Sequence, residues 1–249
     1  FRAEMIRPLI ILFLLGALQG AVGWIMVASG LTGDAVYVRP TRLALHFVFA
    51  LVLLFYTFWF ALKLIVPEDQ KTHHPALRKF TWWIIGLLLI QFVYGALMAG
   101  HKAAPAAPTW PEINGEFIPA YVFNRPEGLL SLVDNPIVIH FVHRVLAYLL
   151  VVLIIFWTLK ASKIKSSRSF TSVRLLPLVF IIVQLVLGIL TVLNSLKIAP
   201  HDWDAFEWMA QLHQLTAIFL LLSLALVLYL LTSRESSKYS SRVDMQAFK

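Results

Sequence analysis

The sequence predicts an all-α fold, a polytopic transmembrane helix bundle, and three observations predict it. Apolar residues make up 59% of the 249 positions and charged residues 14%, with a mean hydropathy of +0.79. A soluble domain carries roughly 45–50% apolar and about 25% charged residues. Six segments reach the roughly 20 apolar residues that a helix needs to cross a hydrocarbon core, and none alternates like a β-barrel strand. The same composition excludes a disordered chain, a coiled coil and a disulfide scaffold, and without cysteine there is no thiolate metal site.

The spans fall at 8–30, 43–62, 80–100, 136–159, 175–196 and 208–232. The first follows Arg7 and runs to Gly30 without a charge. The second follows Arg42 and stops before Lys63. The third lies between Lys79 and Lys102. The fourth opens on Pro136, ends before Lys160 and holds Arg144, the one charge inside any span. Arg174 and Lys197 frame the fifth. The sixth runs from Trp208 to a polar tail, 233–249, that reads as frayed. The first span is too long for a cleavable signal, and five more follow it. The chain opens on Phe1 rather than Met, so a processed or missing N-terminus is expected.

The formal charge of +8 becomes an orientation once it is divided among the loops. Of 21 basic residues, only Arg39, Arg42, Lys102, Arg125, Arg144 and Lys197 fall on the side opposite the N-terminus. The other 15 place both ends of this chain in the cytoplasm and the long loop 101–135 outside. The basic excess therefore serves membrane topology, and no nucleic-acid partner is expected.

A short pattern repeats. Gln19-x-x-x-Gly23, Gln91-x-x-x-Gly95 and Gln184-x-x-x-Gly188 lie on the odd-numbered spans, and His46, His143 and His213 open the even-numbered ones. Three hairpins thus each pair a Gln-x-x-x-Gly helix with a His helix. Close packing through small residues is the plain reading. Depth adds a second. At about 1.5 Å per residue, each His lies roughly 7–11 Å inside the outer end of its helix, and each Gly reaches the same layer from the other direction. Two histidines facing across a bundle suit the axial positions of a haem iron, and glycine admits a flat macrocycle against the backbone. His143 and His213 favour ligation. His46 has no partner His in its own half. His140 reads as interfacial, and His73, His74, His101 and His201 as solvated loop residues. Arg42 shares a helix face with His46, and Arg144 follows His143. Each either pairs with an anionic group of a bound ligand or snorkels to the interface. The loop 101–135, with five prolines before Pro136 and the run Thr109-Trp110-Pro111, reads as a cap over this layer or a tether.

These residues resemble the haem A synthase family. The resemblance covers nearly the whole chain. It rests on Gln19-Gly20-Ala21-Val22-Gly23-Trp24, Arg42-Leu43-Ala44-Leu45-His46, Gly95-Ala96-Leu97-Met98-Ala99-Gly100, Thr109-Trp110-Pro111, Phe141-Val142-His143-Arg144 and Leu212-His213-Gln214. The absence of cysteine is similar to the branch without an outer-loop cysteine pair. The resemblance implies an oxidoreductase of the bacterial inner membrane. It would oxidise a haem O methyl group to the formyl group of haem A, for cytochrome oxidase assembly. It implies two pseudo-symmetric four-helix bundles. Residues 1–66 would be the remaining half of the N-terminal substrate bundle, whose missing hairpin would carry a Glu and a His. Residues 67–232 would form the C-terminal bundle, with a haem b held by His143 and His213. His46 would be the substrate-haem ligand or orienter. Arg42, Arg144, Gly95 and Gly188 would contact cofactor or substrate. Haem O, the haem O synthase (a farnesyltransferase) and membrane lipid are the implied partners. A bis-His transmembrane cytochrome b without haem A synthesis, a membrane-histidine transporter and a non-catalytic assembly factor remain as alternatives.

Overall fold

The computed structural model describes residues 3–31, 36–124, 128–197 and 203–232. His201 and the tail 233–249 lie outside the described residues. Of the described residues, 78% are helical. Its six long apolar helices make it a multi-pass membrane protein.

The helices are α1 (Ala3–Val27), α2 (Pro40–Ile65), α3 (Pro75–Gly100), a single turn α4 (Ser131–Asp134), α5 (Pro136–Ser162), the short α6 (Arg168–Val173) running into α7 (Leu176–Leu193), and α8 (Ala205–Leu230). Several start earlier than hydropathy predicts, because polar residues cap them. The His74 Nδ1 accepts from the Leu77 amide, so α3 begins at Pro75 and includes Arg78 and Lys79. Asp204 and Glu207 form a reciprocal capping box that starts α8 at Ala205. The Asn135 side chain accepts from the amides of Ile137 and Val138 ahead of Pro136. Proline at the first position of a helix forfeits no intrahelical bond.

Helices α3, α5, α7 and α8 pack around one another, and α2 lies against α3 and α8. Helix α1 packs on α2, with Phe13 and Trp24 about three-quarters exposed on its outer surface. The Tyr56 hydroxyl donates to the Pro8 carbonyl and ties this hairpin near its predicted cytoplasmic end. In the same half of the molecule, Ile84, Ile154, Trp157, Phe170, Leu220, Leu224 and Leu228 are fully enclosed, with Leu51 of α2 joining them. The Trp157 Nε1 donates to Thr81 Oγ1 at 2.9 Å, so the buried indole is satisfied. A two-residue parallel pairing joins β1 (Thr72–His73) to β2 (Leu231–Thr232). Arg78 donates to the carbonyls of Leu228 and Leu231 at the C-terminal end of α8, where carbonyls run out of intrahelical donors.

The core thins toward the predicted outer side. Among the described residues, α8 has no fully buried residue before Ala217, and α5 has none between His140 and Leu150. His143 and His213 sit in these two gaps.

Replacing Trp157 with Ala deletes the largest enclosed side chain and removes one donor to Thr81, whose hydroxyl keeps its bond to the Leu77 carbonyl. The expected loss is about 3–5 kcal/mol, read as a lower midpoint in a detergent-unfolding titration.

Candidate functional site

The three hairpins build one local geometry three times. In each, an imidazole of the second helix rests its Cε1 edge where the glycine of the first helix has no side chain. A Cβ added at Gly23 would lie 2.9 Å from His46 Cε1, and one at Gly188 would lie 2.9 Å from His213 Cε1. At Gly95 the distance to His143 Cε1 is 3.5 Å. Real Cβ contacts are not made below 3.0 Å, so Gly23 and Gly188 are obligatory for these ring positions, while Gly95 leaves more room. One turn deeper, the amide of Gln19, Gln91 or Gln184 meets the ring nitrogens of the same imidazole. His213 Nδ1 also donates to the Gln184 backbone carbonyl at 3.1 Å.

The second and third hairpins face one another. The rings of His143 and His213 have centroids 6.4 Å apart at 63°. Two imidazoles each bonded to a shared metal at about 2 Å have centroids about 6 Å apart. Among the described residues no cluster of three or more His, Asp or Glu gathers to hold a bare ion. Two histidines alone suit an iron whose remaining ligands arrive with a macrocycle. The thinned packing around both rings fits a flat group. So does the buried, unpartnered Nδ1 of His143.

The outer loop belongs to this layer. Every fourth residue of α5 from His140 holds it. His140 Nε2 donates to the Ala103 carbonyl at 3.0 Å. Arg144 donates to the carbonyls of Ala107 and Glu112 at 2.9 and 3.1 Å. The Tyr148 hydroxyl accepts from Trp110 Nε1 at 3.0 Å. Residues at i and i+4 share a helix face, so one stripe of α5 carries the loop. The loop also folds on itself. Asn114 and Gly115, both with positive φ, make a tight two-residue turn between Ile113 and Glu116.

His140 is therefore not interfacial. It is 1% exposed, enclosed by the returning loop. Nor is His101 simply solvated, since its Nε2 donates to the Val133 carbonyl at 2.8 Å. His74 is a helix cap, and His73 lies exposed on β1. Neither loop role was readable in advance, because the acceptors are main-chain carbonyls placed by loop conformation.

His46 lies on α2 with its ring turned to α1, and no second imidazole faces it among the described residues. A cleft of about 500 Å3 opens beside it, lined by Trp24, Ile25, Ala28, Ser29, Arg39 and Arg42. Arg39 and Arg42 both line this open, largely polar cleft, and guanidinium groups are the usual partners of carboxylates. Nearby, Lys102 lies over the Tyr37 ring at 3.6 Å, and its ammonium holds the phenol below its ordinary pKa.

The sequence model of the family described as Cytochrome oxidase assembly protein matches residues 1–225. A protein named Heme A synthase from Flavobacterium johnsoniae is 35% identical over 229 residues, covering 91% of this chain and 64% of its own length. One of the same name from Bradyrhizobium sp. is 37% identical over 217 residues, covering 86% and 57%. Another from Cereibacter sphaeroides is 36% identical over 219 residues, covering 80% and 55%. The chain spans about three fifths of the length of these curated relatives. No solved structure matches it.

Arg144→Ala removes two charge-assisted bonds to the loop, each worth about 1.5–3 kcal/mol. Limited proteolysis within 103–124 is expected to accelerate at least tenfold. Arg144→Lys, which lacks the fork, is expected to fall between.

Proposed function

The chain belongs to the family of cytochrome oxidase assembly proteins, and on that premise we propose that it acts in haem A biosynthesis. The reaction is that of a haem A synthase, oxidising the haem O methyl group to a formyl group. The observation that carries the reading is the opposed pair His143 and His213, each seated on a glycine helix, with centroids 6.4 Å apart.

In this reading His143 and His213 hold the iron of a b-type haem, and Gly95 and Gly188 leave room for its ring. The His213 Nδ1 bond to the Gln184 carbonyl fixes that imidazole's tautomer, the role a supporting acceptor plays for a ligating histidine. When bound, haem supplies redox chemistry that no side chain offers to an inert methyl group. The protein's own contribution is placement. His46, held over Gly23, orients the haem O substrate. Arg42, in the cleft at the outer end of the first hairpin, pairs with a substrate propionate. Arg144 uses two of its five donors on the loop and keeps three for a propionate of the resident haem. The clamped loop excludes water from the imidazole layer.

The remaining assignments follow from the same premise. Residues 1–66 form the part of the substrate bundle present here, and 67–232 the haem b bundle. The protein sits in the bacterial inner membrane with the basic loops and both ends of this chain in the cytoplasm. Haem O is handed over by its farnesyltransferase through the lipid phase. A second reading, a bis-His cytochrome b that only moves electrons, is favoured by the lack of a second imidazole facing His46 among the described residues.

The purified full chain is expected to show a low-spin, bis-His haem spectrum. His143→Ala or His213→Ala should each abolish it. His46→Ala should keep it and stop haem A formation in cells supplied with haem O. Full haem content in the His143→Ala, His213→Ala double variant overturns the ligand assignment. Wild-type cells that make no haem A point to the cytochrome reading.

A further inference from the structure

Gln19, Gln91 and Gln184 all act alike. Each aims its side-chain Nε2 at a ring nitrogen of His46, His143 or His213, at 3.3, 3.2 and 3.1 Å respectively. An amide N–H only donates, so the ring nitrogen it meets carries a lone pair rather than a proton. In His213 the proton then sits on Nδ1, which faces the Gln184 carbonyl. The lone pair left for a metal on Nε2 is the one the amide occupies. The Oε1 atom of each glutamine is buried without a partner in all three copies. Buried amide oxygens ordinarily find a donor, so for Gln91 and Gln184 the imidazole bond is what fixes where the amide points, while Gln19 also donates to the His46 backbone carbonyl. The surroundings differ, since α1 is largely exposed and the other two hairpins pack in the bundle, yet the arrangement recurs.

We propose that Gln91 and Gln184 are positioning residues that latch the two histidines while the site is empty and release them when haem iron binds. Gln19 does the same for His46. The proposal rests on the bis-His reading of His143 and His213. An unbonded imidazole nitrogen in a hydrocarbon layer is costly, and the latch removes that cost before the cofactor arrives. It also holds a single tautomer, with the iron-binding nitrogen already free of its proton. One lone pair serves either the amide or the iron, so loading breaks the amide bond. Removing the amide therefore favours loading.

The test uses the full chain, purified without haem and labelled with nitrogen-15 at histidine. Wild type is expected to give one neutral His143 tautomer, protonated at Nδ1, by NMR, and Gln91→Leu a mixture, because no other bond holds that ring's proton. Haemin is then titrated into wild type, Gln91→Leu, Gln184→Leu and the double variant. The double variant is expected to bind about thirtyfold more tightly, the worth of two net hydrogen bonds. Its loaded absorption spectrum should match wild type, because the released amide no longer touches the ligand nitrogen. An unchanged His143 tautomer in Gln91→Leu overturns the latch. Weaker haemin binding in the leucine variants, or a shifted loaded spectrum, overturns it too, since the amides would then support the loaded site. A wild-type chain that binds haemin without a low-spin spectrum overturns the bis-His reading instead, and the tautomer measurement still decides the latch.

Discussion

An imidazole placed in a hydrocarbon layer has no water to bond, and it is too bulky to lie between two closely packed helices that both carry side chains. The three hairpins meet both demands with the same two residues. Glycine vacates the helix surface under the ring edge, and glutamine, one turn deeper, bonds a ring nitrogen. That contact sets how near the two helices of each hairpin approach. It also sets the depth of each ring. Facing the second hairpin with the third then brings His143 and His213 to 6.4 Å.

The rest of the bundle divides the work by depth. Toward the predicted cytoplasmic side, Trp157, Phe170, Leu220 and Leu228 are packed without exposure, and Arg78 closes the end of α8. Toward the predicted outer side α5 has no buried residue between His140 and Leu150 and α8 none before Ala217, and the stripe His140, Arg144, Tyr148 fastens a folded loop across that gap. A rigid half supports an open half. Such a division suits a bound group that is wide, flat and mostly apolar, because a well-packed core would leave it no volume.

The first hairpin carries the same contact on the edge of the molecule. Helix α1 rests on α2 alone among the long helices, His46 points at it, and the Arg39 and Arg42 cleft opens beside them. The chemistry of a ligand site is repeated there without an opposing imidazole among the described residues. The proposed separation of a resident-haem role for His143 and His213 from a substrate role for His46 draws on this difference.

Much of this was legible in the chain itself. Hydropathy alone located six helices, because a spanning segment must be apolar throughout and the signal is local. The Gln-x-x-x-Gly spacing and the three histidines marked the site, since i to i+4 spacing and depth follow from helix geometry. Element ends were less legible, because Asp204, Glu207, His74 and Arg78 look like loop residues until capping uses them. The partners of His140, His101 and Arg144 lay beyond sequence, as all are main-chain carbonyls with no residue identity to read. The same holds for the pairing of Thr72 with Leu231, which joins chain segments far apart. Sequence determined which residues reach the outer layer. Only the packing of hairpin on hairpin decided that two of the three histidines face each other and that the third faces its own helix partner.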